Sequence, residues 1–481
     1  MRQRLQGINE MKRYLFFLLI ALGIVLGGCN LTPPYTRPEA PVPASWPSGA
    51  AYKETGTGPE ARAADELKWR EFVTDERLRQ IIETALNNNL DLRLAALNVE
   101  LARALYGIRR AELFPSVDAA GAWSKQRVPA DLSGAGRKIT AEQFSVDLGI
   151  VSWEIDFFGR IRSLKDRALE EYLATEEAQR SVQILIVSGV ANAYLALAAD
   201  RENLKLTETT LETQTYAYNL IKRRFDVGLA SELALDQVQT QVDTARRNIG
   251  VYTQLVAQDE NALNLLVGTP SPPPGELLPE NLGSVSPPKE ISAGLSSEVL
   301  LVRPDILAAE HQLKAANASI GAARAAFFPR ISLTAAVGTA SAELSGLFKS
   351  GQGTWLFAPT IVMPIFDARL WSAYDATIAQ REIALTQYEK AIQTAFREVA
   401  DALAVNGTVD QQVSAQQSLV DASARTYRLS VARYTKGIDS YLGVLDAQRS
   451  LYQAQQVLIL LRLAKAANQV RLYAVLGGGS E

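Results

Sequence analysis

The run Arg224-Phe-Asp-Val-Gly228-Leu-Ala-Ser231 recurs as Arg433-Tyr-Thr-Lys-Gly437-Ile-Asp-Ser440, displaced by 437 − 228 = 209 residues. It sits inside two stretches, 160–268 and 367–476, that contain no proline although the chain has 20, and that superimpose without a gap. The same shift carries Phe157 onto Phe366, Arg160 onto Arg369, Val190-Ala191 onto Val399-Ala400, Tyr218 onto Tyr427, Gln239 onto Gln448 and Gly268 onto Gly477. From Arg160 to about Phe225 good helix formers follow one another without a breaker, so a helix there would run roughly 100 Å at 1.5 Å per residue. Ordinary globular helices average about 11 to 12 residues, and a repeat of this length is no solenoid unit. The chain therefore reads as a duplication of very long helical hairpins. Gly228 and Gly437 fall where each hairpin reverses, since glycine tolerates the left-handed conformation that closes a helix end.

A weaker repeat lies upstream of each copy. With a shift of 329 − 115 = 214, Asn89-Leu-Asp91 through Glu112-Leu-Phe-Pro115 matches Arg303-Pro-Asp305 through Ala326-Phe-Phe-Pro329. Each half is thus expected to run helix, strands, long helix, turn, long helix. Beyond the turns a heptad seam is sustained through Leu235, Val238, Val242, Ala245, Ile249, Tyr252, Val256, Asp259, Leu263 and Leu266. The second copy places Val444, Ala447, Leu451, Ala454, Leu458, Leu461, Lys465, Asn468, Leu472 and Val475 at the same positions. Seventeen of these twenty are apolar, which favours coiled-coil packing of antiparallel helices. On the helices alone, a coiled-coil scaffold is a competing reading.

The material between the helices alternates with a period of two. Phe144, Val146, Leu148 and Ile150 oppose Ser145, Asp147 and Gly149, and residues 331–338 behave in the same way. A third run puts Trp355, Phe357, Pro359, Ile361, Met363 and Ile365 on one face opposite Ala358 and Thr360. Such strands, apolar outside and polar inside, suit a transmembrane β-barrel, with Trp123, Trp153 and Trp355 as interfacial aromatics. Two hairpins with loops near 128–139 and 340–353 give four strands per chain. Four strands cannot close a membrane-spanning barrel, so either the chain associates with copies of itself or the strands form a small soluble sheet.

The N-terminus indicates location. A charged segment from Met11 precedes a 15-residue apolar run, Tyr14 to Gly28, which is short for a bilayer span of about 20 residues and reads as a signal-peptide core; Met1 and Met11 are both candidate starts of translation. Leu26-Gly27-Gly28 precedes Cys29, the only cysteine in 481 residues, as at a lipoprotein signal-peptidase site. Cys29 is the expected lipidated N-terminus, the alternative being a lone buried cysteine after an ordinary secretory signal. Asn30 rather than aspartate follows, which by resemblance to bacterial lipoproteins argues for the outer membrane. The expected organisation is a signal peptide at 1–28, a lipidated tether at 29–66, a first repeat at 67–268, a proline-rich connector at 269–289, a second repeat at 290–477 and a tail at 478–481. Seven prolines mark the tether and seven the connector.

Composition narrows the function. A net charge of −3 leaves no basic excess for nucleic acid. One cysteine and one histidine, His311, supply no disulfide and no expected metal or cofactor site. No His-Glu-x-x-His, Gly-x-Ser-x-Gly or Walker loop is present, and Gly56-Thr-Gly58 precedes no strand-helix unit. The chain does not read as an enzyme. The sequons at Asn317 and Asn406 read as chance.

Glu112-Leu-Phe-Pro115, Trp153-Glu-Ile-Asp-Phe-Phe-Gly-Arg160, Arg303-Pro-Asp305-Ile306, Ala326-Phe-Phe-Pro329, Pro364-Ile-Phe-Asp367 and Val444-Leu-Asp-Ala-Gln-Arg449, in this order and with the duplication, resemble the TolC-like outer membrane factors. The lipid anchor places the resemblance nearest the OprM/NodT-type lipoproteins. It covers nearly the whole chain after Cys29. It implies a homotrimer in the outer-membrane lipid whose twelve strands form one β-barrel, continued by a long antiparallel α-helical barrel in the periplasm. It also implies an exit duct for drugs or other toxic compounds, joined by a periplasmic adaptor protein to an inner-membrane pump, which in this branch is usually proton-driven. An envelope structural or adhesion lipoprotein with a coiled-coil body is the alternative.

The resemblance also implies site residues. The hairpin tips at Gly228 and Gly437 are expected to meet the adaptor, against the plainer reading that these glycines only cap helices. The family's Leu-x-x-x-Asp-Ala-Gln-Arg pattern falls on Leu442, Asp446 and Arg449, the expected gate; without the family these are ordinary solvated helix residues. Under the 209 shift they become Leu233, Gln237 and Thr240, so the charges belong to one hairpin. Threefold symmetry would turn Asp446 into a ring of three carboxylates, with Arg449 close enough to offset the repulsion.

Overall fold

The structure, a computed structural model, describes residues 30–52, 67–134, 136–291 and 296–478. A short turn of helix, Trp69–Phe72, precedes α1 (Glu76–Asn88) and α2 (Leu90–Ala111); β1 (Asp118–Val128) and β2 (Ile139–Ile155) follow, then α3 (Arg160–Asp226) and α4 (Glu232–Val267). The second half repeats this with α5 (Pro304–Ala325), β3 (Arg330–Ser341), β4 (Gly353–Val362), α6 (Ala368–Thr435) and α7 (Tyr441–Val475). At 67 and 68 residues, α3 and α6 each run roughly 100 Å. The chain divides into two compact units: residues 30–38, 99–175 and 309–388 form one, and 39–98, 176–308 and 389–478 the other.

The first unit carries a single antiparallel sheet in the order β1-β2-β3-β4. Register sorts its faces. Leu148 faces Val337, which faces Trp355, and Ile155, Ile331 and Ile361 form a second apolar row. On the opposite face Asp147 pairs with Gly338, and Ser332 with Thr360. A Cβ built on Gly149 would lie 2.7 Å from the Ala336 side chain, and one on Gly338 would lie 2.8 Å from the Asp147 Cα. Glycine at both positions lets the neighbouring strands approach that closely on the polar face, as at the bends by which a sheet curls toward a barrel.

Two expectations about the strands need correction. β4 stops at Val362, short of Met363 and Ile365, because Pro364 has no N–H to continue the ladder. A register shift between Ile150 and Trp153 interrupts the alternation in β2, and Trp153 is half-buried, unlike Trp123 and Trp355 at 62% and 80% exposed.

The N-terminal segment is not a free spacer. Thr32 Oγ1 lies 3.1 Å from Ser163 Oγ, Asn317 donates to the Pro33 carbonyl at 2.9 Å, and both Tyr35 and Arg37 donate to Glu310. Thr32 and Ser163 also occupy the space where a Cβ on Gly321 would lie, so a side chain there would displace the strap. Asn317 is buried and engaged, so its sequon is inaccessible. His311 Nδ1 sits 2.6 Å from Glu170 Oε2, so the histidine ties α5 to α3.

The second unit is built on a core in which Trp69, Phe72, Ile81, Ile82 and Ala85 meet Val190, Tyr194 and Leu197 of α3, Leu263 of α4 and Tyr473 of α7. Phe72 and Tyr473 stack at 4.2 Å. The duplication persists in the hydrogen bonding. Asn89 donates to the Leu266 carbonyl at 2.8 Å, and Arg303 donates to the Val475 carbonyl at 2.6 Å. Asn89 and Arg303 are equivalent under the 214 shift, and Leu266 and Val475 under the 209 shift, so both copies satisfy the free carbonyls at a helix end in the same way.

Candidate functional site

The hairpin tips lie in the second unit. Gly228 and Gly437 have φ of 76° and 72°. Around the first, the Gly228 N–H donates to Phe225 and the Leu229 N–H to Arg224; around the second, Gly437 donates to Tyr434 and Ile438 to Arg433. This paired 5→2 and 6→1 pattern is a Schellman closure, which requires the left-handed residue. Nothing lies within 4 Å of a Cβ built on either glycine. Both tips are therefore open to a partner.

Beneath the tips, Ile221, Val238 and Leu445 form a small buried cluster with Tyr218, Leu235, Tyr434 and Tyr441 against it. Arg224 ties the two hairpins together: its Nη1 donates to the Tyr434 hydroxyl at 2.6 Å. Burial, with Tyr427 and Tyr434 nearby, pushes the Tyr441 phenol well above its ordinary pKa. The two turns are finished differently. Ser231 caps α4 by accepting from the Ala234 N–H, whereas Ser440 makes no such bond and Arg433 instead pairs with Asp439. That hydrogen-bonded guanidinium holds the Asp439 carboxyl below its usual range. Apolar side chains remain uncovered here: Val227, Leu229, Leu233 and Ile438 are all more than half exposed. Clustered exposed apolar residues mark an interaction surface.

The three expected gate residues share one face of α7. Val444, Leu445, Ala447 and Gln448 are buried, while Leu442, Asp446 and Arg449 point outward at helical spacings of four and three. Asp446 Oδ1 and Arg449 Nη2 are 3.8 Å apart, with side chains 61% and 51% exposed. A pair so exposed contributes about 0 to 1 kcal/mol to folding, so its charges are free to act on something other than stability. In the first hairpin Leu233 is likewise exposed, but Gln237 and Thr240 carry no charge, and the Thr240 hydroxyl donates to the Gln237 carbonyl. Cys29 lies outside the described residues.

One surface was legible but unread in the sequence. Leu90, Leu94, Leu97, Leu101, Leu105 and Ile108 recur every three or four residues along α2 and are each more than half exposed, and α2 buries none of its residues. The outer strands add to it. β1 is exposed along nearly its whole length, and neither β1 nor β4 has a partner on its outer side among the described residues. Unpaired edges on a sheet with an apolar face call for another chain.

The family model for outer membrane efflux proteins matches residues 81–269 and 295–478. The toluene efflux pump outer membrane protein TtgC of Pseudomonas putida is 50% identical over 466 residues, covering 96% of this chain and 95% of its own. The antibiotic efflux pump outer membrane protein ArpC, also from Pseudomonas putida, matches to the same extent. Among solved structures, the open state of the Neisseria gonorrhoeae MtrE outer membrane channel superimposes with a TM-score of 0.84 at 36% identity, covering 94% of this chain and 99% of that one. The chain belongs to the outer membrane efflux protein family, whose TolC-like channels share its fold.

Proposed function

We propose that this protein is the outer-membrane exit channel of a tripartite efflux system and conducts small toxic molecules, drugs and organic solvents among them, passively to the outside. The observation that carries the reading is the four-stranded sheet with one apolar face and two unpaired edges. Three copies would pair β1 of one with β4 of the next, closing twelve strands around a polar lumen. The exposed leucine stripe on α2 then finds its cover in the neighbouring copy. Cys29 carries lipid as a second attachment. The tips at Gly228 and Gly437 receive a periplasmic adaptor, which an inner-membrane, proton-driven pump supplies. Leu442, Asp446 and Arg449 form the constriction, Leu442 by bulk and Asp446 by a threefold carboxylate ring. The duct itself performs no chemistry.

The test is reconstitution. Purified protein is expected to run as an SDS-resistant trimer and to give discrete single-channel conductance in planar bilayers, and deletion of its gene should sensitise cells to antibiotics and toluene. A monomer that never conducts, with unchanged susceptibility, refutes the proposal.

A further inference from the structure

The loop end of the sheet carries its charge on an unexpected side. Register sets Lys125 opposite Glu142 and Arg127 opposite Thr140, in the same alternation as Trp123 opposite Phe144 and Ala119 opposite Leu148. Lys125 and Arg127 therefore stand on the apolar face. On the polar face at the same height are Ser124 and Gln126, which carry no charge. The helix end of the sheet is arranged in the opposite sense. There the ion pair of Glu154 with Arg330 lies on the polar face, in the alternation of Ser332 and Thr360, and the apolar face holds Ile155, Ile331 and Ile361.

Height along the strand accounts for the difference. From Phe144 to Ile155 the strand runs about 36 Å at about 3.3 Å per residue. At a tilt of about 40° it spans about 28 Å, close to the apolar band of about 25 Å on a transmembrane barrel. Lys125 and Arg127 thus stand just beyond the band, with the exposed ring of Trp123 at its border. A lipid-facing cation costs little at that level and much at the midplane.

The loop adds to the charge. Arg137 and Lys138, both exposed, come just before Ile139, which pairs with Val128. Between Ser124 and Gln143 there are four basic and two acidic side chains, a local excess of two positive charges in a chain of net charge −3. Glu142 is already occupied, accepting from Trp123 Nε1 at 3.0 Å and pairing with Lys125 at 3.0 Å. Among the described residues no carboxylate pairs with Arg127, Arg137 or Lys138. The corresponding loop of the second hairpin, 342–352, holds Glu343 and Lys349 and has no excess.

We propose that Lys125, Arg127, Arg137 and Lys138 bind the phosphate groups of a phosphorylated glycolipid in the outer leaflet, whose acyl chains lie along the apolar face below Trp123. The inference rests on the channel reading, in which the loop end of the sheet reaches the outer leaflet. Arginine offers phosphate a planar fork and lysine a point charge. The face selects a lipid over a soluble anion. The cations continue the apolar rows of Phe144, Leu148 and Val337, so one molecule, anionic at one end and apolar at the other, satisfies both.

The test uses full-length trimers in detergent that have first been shown to conduct in planar bilayers, so that failure of the channel reading is seen before lipid is added. Diphosphorylated lipid A is presented in micelles with chelator, which keeps divalent ions from bridging its phosphates, and is compared with dephosphorylated lipid A and with inorganic phosphate as competitor. Wild type is expected to bind the phosphorylated lipid saturably, the dephosphorylated one far more weakly, and to lose little of the bound lipid to millimolar phosphate. Each cation near an anionic lipid surface is worth about fivefold, so Arg127→Gln with Lys138→Gln should weaken binding about 25-fold. Lys390→Gln with Arg428→Gln removes the same charge from exposed positions of α6 and should leave binding unchanged. All four side chains are exposed, so both double variants should still form conducting trimers. No saturable binding, equal affinity for the two lipids, full displacement by inorganic phosphate, or double variants that do not differ overturns the proposal while the conductance stands. Trimers that do not conduct overturn the channel reading and this inference with it.

Discussion

Substitution of the two turn glycines separates a docking role from a capping role, because the structure fixes what each change costs. With φ of 76° and 72°, any L-residue at 228 or 437 adopts a left-handed conformation at a cost of about 1 to 2 kcal/mol. No clash adds to that cost, since nothing lies within 4 Å of either Cβ. Gly228→Ala and Gly228→Trp therefore bear nearly the same backbone strain and differ in what they project into open space. The strain is small against the buried core of the second unit, and the neighbouring cluster around Ile221, Val238 and Leu445 is untouched. Trimer formation and single-channel conductance should survive in all four variants, Gly228→Ala, Gly437→Ala, Gly228→Trp and Gly437→Trp. Export, measured as antibiotic susceptibility in a gene-deletion strain carrying each variant, should be near normal for alanine and abolished for tryptophan. If tryptophan exports normally, no partner docks at the tips. If alanine is as damaging as tryptophan, the glycines serve the turn alone.

Three further outcomes are expected. Labelled palmitate should enter wild type at Cys29 and not Cys29→Ser, and the variant should still trimerise, because a closed barrel holds it in the membrane without lipid; no incorporation, or loss of trimers, contradicts these points. Asp446→Ala combined with Arg449→Ala should raise resting conductance and admit large antibiotics, with stability nearly unchanged because the pair is exposed, whereas Gln237→Ala with Thr240→Ala should do much less; equal conductance in wild type and the Asp446/Arg449 double variant removes these residues from the gate. Burial alone would raise the Glu310 carboxyl, but hydrogen bonds from Arg37 and Lys314 outweigh it and hold it below its usual value. A depressed folded pKa gives stability that is present above about 4.3, the free glutamate value, and lost as pH falls through the folded one. Protease protection of residues 30–38 should therefore persist at neutral pH and weaken progressively as pH falls below that free value, a dependence that Glu310→Gln should abolish; unchanged acid release in that variant would place the titrating group elsewhere.

The long helices, their turns and the number of strands were legible because they depend on local chemistry. Absence of proline from 160–268, a left-handed glycine at each reversal and alternation between 140 and 150 act over a few residues, and the duplication gave every reading a second witness. The sheet order and the break in β2 were not legible in that way. A bulge between Ile150 and Trp153 is set by the register against β3, which no local pattern in β2 encodes. The proposed gate residues Leu442, Asp446 and Arg449 rest on family resemblance; the structure adds that they share one face of α7.

What the sequence determined by itself was periodicity: which residues are helical, which alternate, and which positions the two copies share. Only the tertiary structure decided which of those residues meet. It turned the proline-rich leader into a strap by giving Tyr35 and Arg37 a common acceptor in Glu310, some 270 residues away. It left the α2 leucines uncovered. Helix and strand period follow from bonds between near neighbours, whereas strap and stripe depend on which distant segments lie side by side, a choice made by burial across the whole chain.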